Sequence, residues 1–545
     1  MHKQCLLLLL LLGVISLQGL PVYDDNDRLN LSASCPDATC SLWQLESDFQ
    51  QPLRYSGSPV LQLQELLLGD CQMRAMPVEL LRLAPNLRVL LLQNSSIFHV
   101  NKDDFQAIPQ LRQLQLQRNH ITRLKDQQFV ALRQLELLQL GHNMLQVVHA
   151  QAFAGLSQLR LLGLQGNGIT ELADDAFASL PNLIHLDLSD NEIRQINAKI
   201  FAKNDKLQTL LLNGNKFAQF EPQSLKGLTN LRLLELSNCQ LEELQLHSAQ
   251  QLQIESSGLQ RLIIDGGVIK IQAGNNALTQ LQIGDKSAVI ELDLHENLLD
   301  GNASSTLLNG MWNLQRLDLS KNNLDSLCFS GGNFSSLSLL LPSLTHLNLA
   351  HNQLHNLPPE SPLFPSRLID LDISYNHLIS VETENFASLP NLRRLYLEDI
   401  RLTKLNYQLF HRQHPNLQVL GACDSDYSFM HKLSIFLTDR GVHLPVPCLH
   451  KPSSKFVPHL QPETEAQPQT LAGVGSIHPY WTTRDILAFT TLVVVFIILL
   501  MQMYRILEEE GWVRRMQQWL RGRHSMTNGP RTRRLNEEDS ESPNA

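Results

Sequence analysis

Leucine recurs on a fixed beat through the middle of this chain. "LQLGHNMLQVV" (residues 138–148), "LLGLQGNGITEL" (161–172) and "LIHLDLSDNEIRQI" (183–196) are one phrase written three times, with Asn143, Asn167 and Asn191 spaced 24 residues apart. Each phrase opens with apolar and polar residues in alternation, as at Leu186 and Leu188, which is the period of a strand with one buried face. One such strand cannot bury its leucines alone. Neighbouring units must stack against one another, so the pattern predicts a solenoid.

The repeat fits the template L-x-x-L-x-L-x-x-N/C-x-L. Counted from Leu63, position nine falls on Cys71, Ser95, Asn119, Asn143, Asn167, Asn191, Asn215 and Cys239, always 24 residues apart. It continues at Ser257, Asn276 and Asn297, with intervals of 18, 19 and 21, and then at Asn322, Asn352, Asn376 and Ile400, making fifteen units. At these residues the chain resembles the extracellular leucine-rich repeat family. The resemblance implies an α/β solenoid: a horseshoe with a parallel β-sheet on its concave side and a mostly irregular convex side. Fifteen strands about 4.8 Å apart give an inner arc of roughly 70 Å.

Position nine follows the strand, where the chain turns inward and strands backbone groups away from water. An Asn side chain both donates and accepts there, so stacked copies form a ladder that satisfies groups otherwise costing about 1–3 kcal/mol each. The register makes Cys71 and Cys239 buried thiols of this ladder rather than disulfide partners. Phe105, Phe129, Phe153, Phe177, Phe201, Phe386 and Phe410 each lie eighteen residues after a unit's first leucine, and predict a second packed column under the convex side.

Solenoid ends need caps. "CPDATC" resembles the family's N-terminal cysteine cap in reduced form, and Leu417 to Cys448 reads as a C-terminal cap whose apolar set Phe429, Leu433, Phe436 and Leu437 fits a covering helix. The short cap and short repeats are similar to those of arthropod leucine-rich immune proteins. The resemblance implies disulfides between Cys35 and Cys40 and between Cys423 and Cys448. Cys328 is left over, and is either buried or paired between chains.

The ends of the chain change the picture. Residues 1–19 carry one Lys and an apolar run from Leu6 to Ile15, the form of a signal peptide. Residues 486–504 are nineteen without a charge, roughly 28 Å as a helix, and read as a transmembrane span. Arg505, Arg514, Arg515, Arg521 and Arg523 follow it, which places the C-terminus in the cytosol and the rest outside. The expected order is signal peptide 1–19, N-terminal stretch and cap 20–60, solenoid 61–416, C-terminal cap 417–448, Pro- and Gln-rich stalk 449–485, membrane helix 486–504 and cytoplasmic tail 505–545. The expectation is a single-pass type I plasma-membrane protein. Asn30, Asn94, Asn302 and Asn333 begin N-x-S/T sequons and are glycosylation candidates. The tail is too short for a folded signalling domain. Its Arg-flanked apolar residues fit a helix on the anionic inner leaflet, a calmodulin-type target or an unstructured segment.

Overall the 545 residues are 43% hydrophobic and 18% charged, with a formal net charge of −9. That excludes a disordered chain and disfavours nucleic acid as partner. No phosphate loop, HExxH or GxSxG motif occurs, so no catalytic residue, metal or cofactor is expected. Scattered histidines such as His142, His295 and His351 read as solvated surface. What remains is the concave face, where positions three, five and seven point outward. Val89, Leu91, Gln113, Leu137, Gln139, Leu161, Gln165, Leu211 and Leu233 are the candidate contacts for an extracellular or cell-surface protein. An exposed row of leucines is either such a patch or ordinary exposed apolar surface. The second half, with Asp187, Glu235, Glu255, Glu291, Asp293, Asp318, Asp370, Asp372 and Glu398, is acidic. The expected function is a cell-surface adhesion protein, receptor or co-receptor, with homo- and heterodimers left open. The alternative is an innate-immune receptor or decoy without its own signalling domain.

Overall fold

The computed structural model describes residues 28–43 and 55–444, with residues 21 and 45, apart from 218, 222–223, 226, 302–306, 326–336, 358–362, 403 and 424–425. The signal peptide, stalk, membrane span and tail expected from the sequence lie outside the described residues, as do Cys328, Cys448, Asn302 and Asn333. Among the described residues no helix is long and apolar enough to cross a membrane.

The repeats build one parallel sheet. Its strands are β1 (Thr39–Trp43), β2 (Glu65–Gly69), β3 (Val89–Leu91), β4 (Gln113–Gln115), β5 (Leu137–Gln139), β6 (Leu161–Gly163), β7 (His185–Asp187), β8 (Thr209–Leu211) and β9 (Leu233–Glu235). After β10 (Glu243–Leu246) the sheet continues with β11 (Ala249–Gln253) and the far half of β12 (Arg261–Gln272). Beyond β13 (Gln280–Asp285) come β14 (Glu291–Asp293), β15 (Arg316–Asp318), β16 (His346–Asn348), β17 (Asp370–Asp372), β18 (Arg394–Glu398) and β19 (Val419–Cys423). Each pairs with the strand of the next repeat, and β1 and β19 pair with one neighbouring strand each. The register is constant: Leu138 faces Leu162 and Leu186 faces Leu210. The template leucines of these repeats are fully buried.

The turn after each strand holds the units together. Asn143 Nδ2 donates to Leu140 O of its own repeat and to Leu116 O of the preceding one, both at 2.9 Å, while its Oδ1 accepts from Ile121 N at 3.0 Å. Asn119, Asn167, Asn191, Asn215, Asn276, Asn297, Asn322, Asn352 and Asn376 repeat the arrangement. Ser257 keeps the link to the preceding repeat through Oγ and Leu236 O at 2.8 Å, and Cys239 through Sγ and Leu212 O at 3.2 Å. Cys71 and Cys239 are buried thiols, and burial pushes the Cys239 thiol up to about 11. At the last unit Ile400 is buried and carries no polar group into the ladder.

A second constraint sits one residue earlier. Position eight is left-handed in all fifteen units, with φ between 51° and 69° from Asp70 to Asp399. Only Gly, and to a lesser degree Asn and Asp, takes that region at low cost, and Asp70, Asn94, Gly166, Asp190, Gly214, Asn238, Asn275 and Asp399 fit the demand.

The convex side is more ordered than the irregular surface expected. Phe153, Phe177 and Phe201 stack with ring centroids 6.0–6.2 Å apart, and Phe105 with Phe129 at 5.7 Å. Where repeats shorten to 18–21 residues, the column breaks and the returning chain forms a second parallel sheet from β10, the first half of β12 and β13. β12 serves both sheets, turning between Ile264 and Gly267. A Cβ on Gly284 would lie 2.0 Å from Asp265 O, so only glycine lets β13 approach this corner. A shorter repeat has no room for the phenylalanine loop, and strand pairing satisfies its backbone instead. Elsewhere Asn204 replaces an apolar residue of the convex side, fully buried, and donates to Phe177 O and Leu180 O at 3.0 Å.

At the N-terminal end Cys35 and Cys40 form a disulfide, Cα–Cα 5.2 Å. At the other end α1 (Tyr407–Gln413) precedes β19, and α2 (Tyr427–Thr438) lays Leu433 and Leu437 over the last strand region, its N-terminus capped by Asp426 Oδ1 accepting from Phe429 N at 3.0 Å. Cys423 is disulfide-bonded.

Two substitutions test the packing. Asn143→Ala strands Ile121 N and leaves Leu116 O and Leu140 O with one side-chain donor each, Asn119 and Asn167, and is expected to cost about 1–3 kcal/mol for the orphaned N–H. Phe153→Ala opens the stacked column at about 3–5 kcal/mol. Urea midpoints and Tm of the secreted solenoid should both fall; an unchanged Tm in either variant would show that the stacking is misassigned.

Candidate functional site

The sheet's outer face is set by the alternation of the strand, which buries positions four and six and turns three, five and seven to solvent. The structure places the nine candidate contacts there. Leu137 and Leu161 are register partners on adjacent strands and form a continuous half-exposed pair. Val89 and Leu91 stand on β3, separated from that pair by Gln113 and Gln115 of β4. Leu211 and Leu233 lie beyond β7, and in different columns, because Leu233 faces Thr209 and Leu211 faces Glu235. The nine residues are therefore not one row: they are a central leucine pair with two flanking groups.

The floor between them is glycine. A Cβ on Gly163 would fall 1.8 Å from Gln139 Oε1, and one on Gly141 would fall 2.5 Å from Gln165 Cδ. Gln139 and Gln165 thus lie flat across backbone that carries no side chain. On the N-terminal side Gln93 and Gln117 both donate to Gln115 Oε1, at 2.7 and 3.1 Å. From Val89 to Gln165 no outward position of the sheet carries a charge.

Two members escaped the sequence reading. Trp43 is 43% exposed and lies over Gly69, whose Cβ would come within 2.2 Å of the indole. Leu67 is the register partner of Leu91 and extends the apolar surface toward it. Counting units from Leu63 hid the strand of the cap. The signal for Trp43 is its spacing, two residues after Ser41, which pairs in register with Leu67.

Farther along, the face is ionic. Position three alternates in sign: Lys270 meets Glu291 at 3.2 Å, Glu291 meets Arg316 at 3.8 Å, and His346 meets Asp370 at 2.9 Å, with Arg394 bidentate on the same carboxylate. Position five carries three of the carboxylates. Asp293, Asp318 and Asp372 line a hollow of about 440 Å³, and Ser320 donates to Asp318 Oδ1 at 2.6 Å. Burial raises the Asp372 carboxyl, with Glu398 and Asp318 adding to the rise against hydrogen bonds from Ser374. Burial, then Asp187, Asp190 and Glu255, raise Glu235. The His295 ring lies over Gly274 with Nδ1 2.7 Å from Asp293 Oδ1; burial opposes its charge, but Asp293, Asp318 and Glu255 together hold its pKa above the usual value. Burial lowers His346 and His185. Among the described residues no group of three His, Cys, Asp or Glu side chains could hold a metal ion.

Against known proteins, the leucine rich repeat family profile matches residues 62–121, 109–169, 159–217 and 342–420. The matched repeats of the solenoid are leucine-rich repeats. The profile leaves out 218–341, the stretch that contains the short repeats and the second sheet. Bovine asporin is 28% identical over 127 residues, covering 23% of this chain and 32% of asporin. Human oligodendrocyte-myelin glycoprotein is 32% identical over 124 residues, 23% of this chain and 26% of that protein. The chain thus spans about a quarter to a third of these relatives. The solved Drosophila Toll–Spätzle complex superposes with a TM-score of 0.49 at 19% identity, over 70% of this chain and 60% of that one.

The raised Asp372 has a stability consequence. A carboxyl whose folded pKa exceeds its unfolded value counts against the fold when ionised, and this cost disappears as pH falls through the folded value. Asp372→Asn keeps an acceptor for Ser374 N (2.9 Å in the parent). It should raise Tm at pH 7.5, with the gain vanishing as the pH is lowered toward 4. A gain that is the same at both pH values would rule out the assignment.

Proposed function

We propose that this chain is a single-pass cell-surface protein whose leucine-rich repeat domain binds an extracellular protein partner through the N-terminal half of its concave sheet, as an adhesion protein, receptor or co-receptor. One observation carries the reading: Leu137 and Leu161 stand side by side, half-exposed, in a stretch of sheet without a single outward charge. Folding does not require them there, since the buried leucines of the same strands already supply the core. A charge-free surface with an apolar centre and an amide rim has the make-up of an interface that loses water at little cost. The cell-surface part of the proposal rests on the apolar segments 1–19 and 486–504 and the arginines that follow the second. The alternative, an innate-immune receptor or decoy, rests on the short repeats and the short C-terminal cap.

The full chain on cultured cells provides the test. An N-terminal tag should stain on intact cells and a C-terminal tag only after permeabilisation. The solenoid is then screened against an array of secreted ectodomains, itself included, and against microbial products. The variant L137R/L161R should lose at least about tenfold in affinity for a partner of the wild type, a loss of about 1.4 kcal/mol, while its Tm stays unchanged. Retention of every wild-type partner would refute the patch.

A further inference from the structure

A hollow of about 520 Å³ lies on the lateral side of the first repeats, beside the turn that follows the strands, lined by Gln72, Arg74, Ser96, Phe98, His99 and His120. Phe98 is 42% exposed, and its ring stands 4.9 Å from that of His120. Its neighbours Ile97 and Val100 are buried, so the chain has apolar residues to spare for the core here and still leaves the phenylalanine out. The same position in the next four repeats is polar: Thr122, Gln146, Thr170 and Arg194. Three backbone bonds fix the wall, from Phe98 N to Arg74 O, Met73 N to Ser95 O and His120 N to Ile97 O.

The wall also contains a sequon. Asn94-Ser95-Ser96 runs into the hollow, because Ser96 is its third residue and one of the lining groups. Asn94 is exposed at the left-handed position eight, and its Nδ2 donates to Asp70 Oδ1 at 2.8 Å. Asp70 belongs to the same repeat as Gln72 and Arg74. The amide that would carry a sugar is therefore aimed toward the repeat that forms the other wall.

We propose that Asn94 is N-glycosylated and that its first sugar residues occupy this hollow, resting on the face of Phe98. The inference rests on the extracellular reading above. The transfer replaces one Nδ2–H by a bond to C1 of the sugar; the lipid pyrophosphate of the oligosaccharide donor leaves and the proton goes with it. Nδ2 keeps its second hydrogen and remains a donor. A pyranose ring presents a face of C–H groups that matches the electron-rich face of an aromatic ring, while His120 supplies a polar partner for hydroxyl and acetamido groups. A glycan seated here removes this lateral side of the first repeats from the surface available to proteins and leaves the concave sheet open.

Glycopeptide mapping of the full chain from secreting animal cells reports occupancy at Asn30, Asn94, Asn302 and Asn333. A thermal double-mutant cycle then joins N94Q and F98A. The strain of Gln at a residue with φ 52° is common to both backgrounds and cancels. Removal of the glycan should lower Tm by about 1–3 °C more with Phe98 present than in the F98A background, the shift expected for roughly 1 kcal/mol in a domain of this size, and amide exchange over residues 96–99 should quicken only where Phe98 is kept. Equal losses in both backgrounds would overturn the seating on Phe98. A bare Asn94 beside an occupied sequon elsewhere would overturn the inference and leave the extracellular reading standing, whereas four bare sequons would overturn both.

Discussion

The structure depends on what happens to a handful of carbonyls where each strand ends. The chain turns inward there, and the position-six carbonyl of every repeat is buried with no strand left to pair it. The asparagine at position nine joins that carbonyl to its counterpart in the preceding repeat and receives an N–H in return, as Asn143 does between Leu140 O, Leu116 O and Ile121 N. The bond geometry requires the turns to stack in register, and once they do the strands lie parallel and their leucines meet. Ser257 and Cys239 show the minimum: one side-chain donor to the preceding repeat suffices. The left-handed residue before it completes the turn. Conserving these few atoms leaves positions three, five and seven without structural duty.

That division explains the middle of the domain. From Ser257 to Asn297 the repeats shorten, yet Asn276 and Asn297 keep their ladder bonds and the concave sheet passes through unbroken. Only the convex side changes, from packed phenylalanines to the second sheet of β10, β12 and β13. The ladder asks for a strand and a turn, and is indifferent to how the chain comes back.

Sequence was a good guide wherever a residue's role recurs with the period. The parallel sheet, the asparagine column and the phenylalanine column were legible because one geometry is written many times. The second sheet was not, since it occurs once and its strands share their apolar runs with ordinary repeat positions; the twelve residues of β12 read as one segment but belong to two faces. Trp43 was hidden by a counting frame that began after it. Position eight was partly visible: Gly and Asn stand at several of its sites, but Arg118, Lys321 and Tyr375 take the same left-handed backbone and dilute the signal. The candidate contacts were placed on the correct face by alternation alone, but their grouping was not, because contiguity depends on which position of the neighbouring repeat is polar.

The two halves of the concave face differ in how they would meet a partner. In the far half position three neutralises itself, since Lys270, Glu291 and Arg316, then His346, Asp370 and Arg394, alternate in sign along adjacent strands. The surplus negative charge therefore comes from positions five and seven, at Asp293, Asp318, Asp372 and Glu398, with His295 the one side chain among them that gains charge on mild acidification. Such a field acts on encounter rate and orientation more than on affinity. The leucine pair would meet a partner by contact and exclusion of water. Six strand spacings separate β6 from β14, roughly 29 Å along the sheet at about 4.8 Å each, while charges in physiological salt are screened over about 8 Å. The acidic cluster at Asp293, Asp318 and Asp372 is therefore screened from the leucine pair, whose nearest outward charge is Asp187, the register partner of Gly163 on the adjacent strand. A single sheet thus carries one surface suited to steering and another suited to anchoring, and chemistry at either can change without disturbing the ladder beneath both.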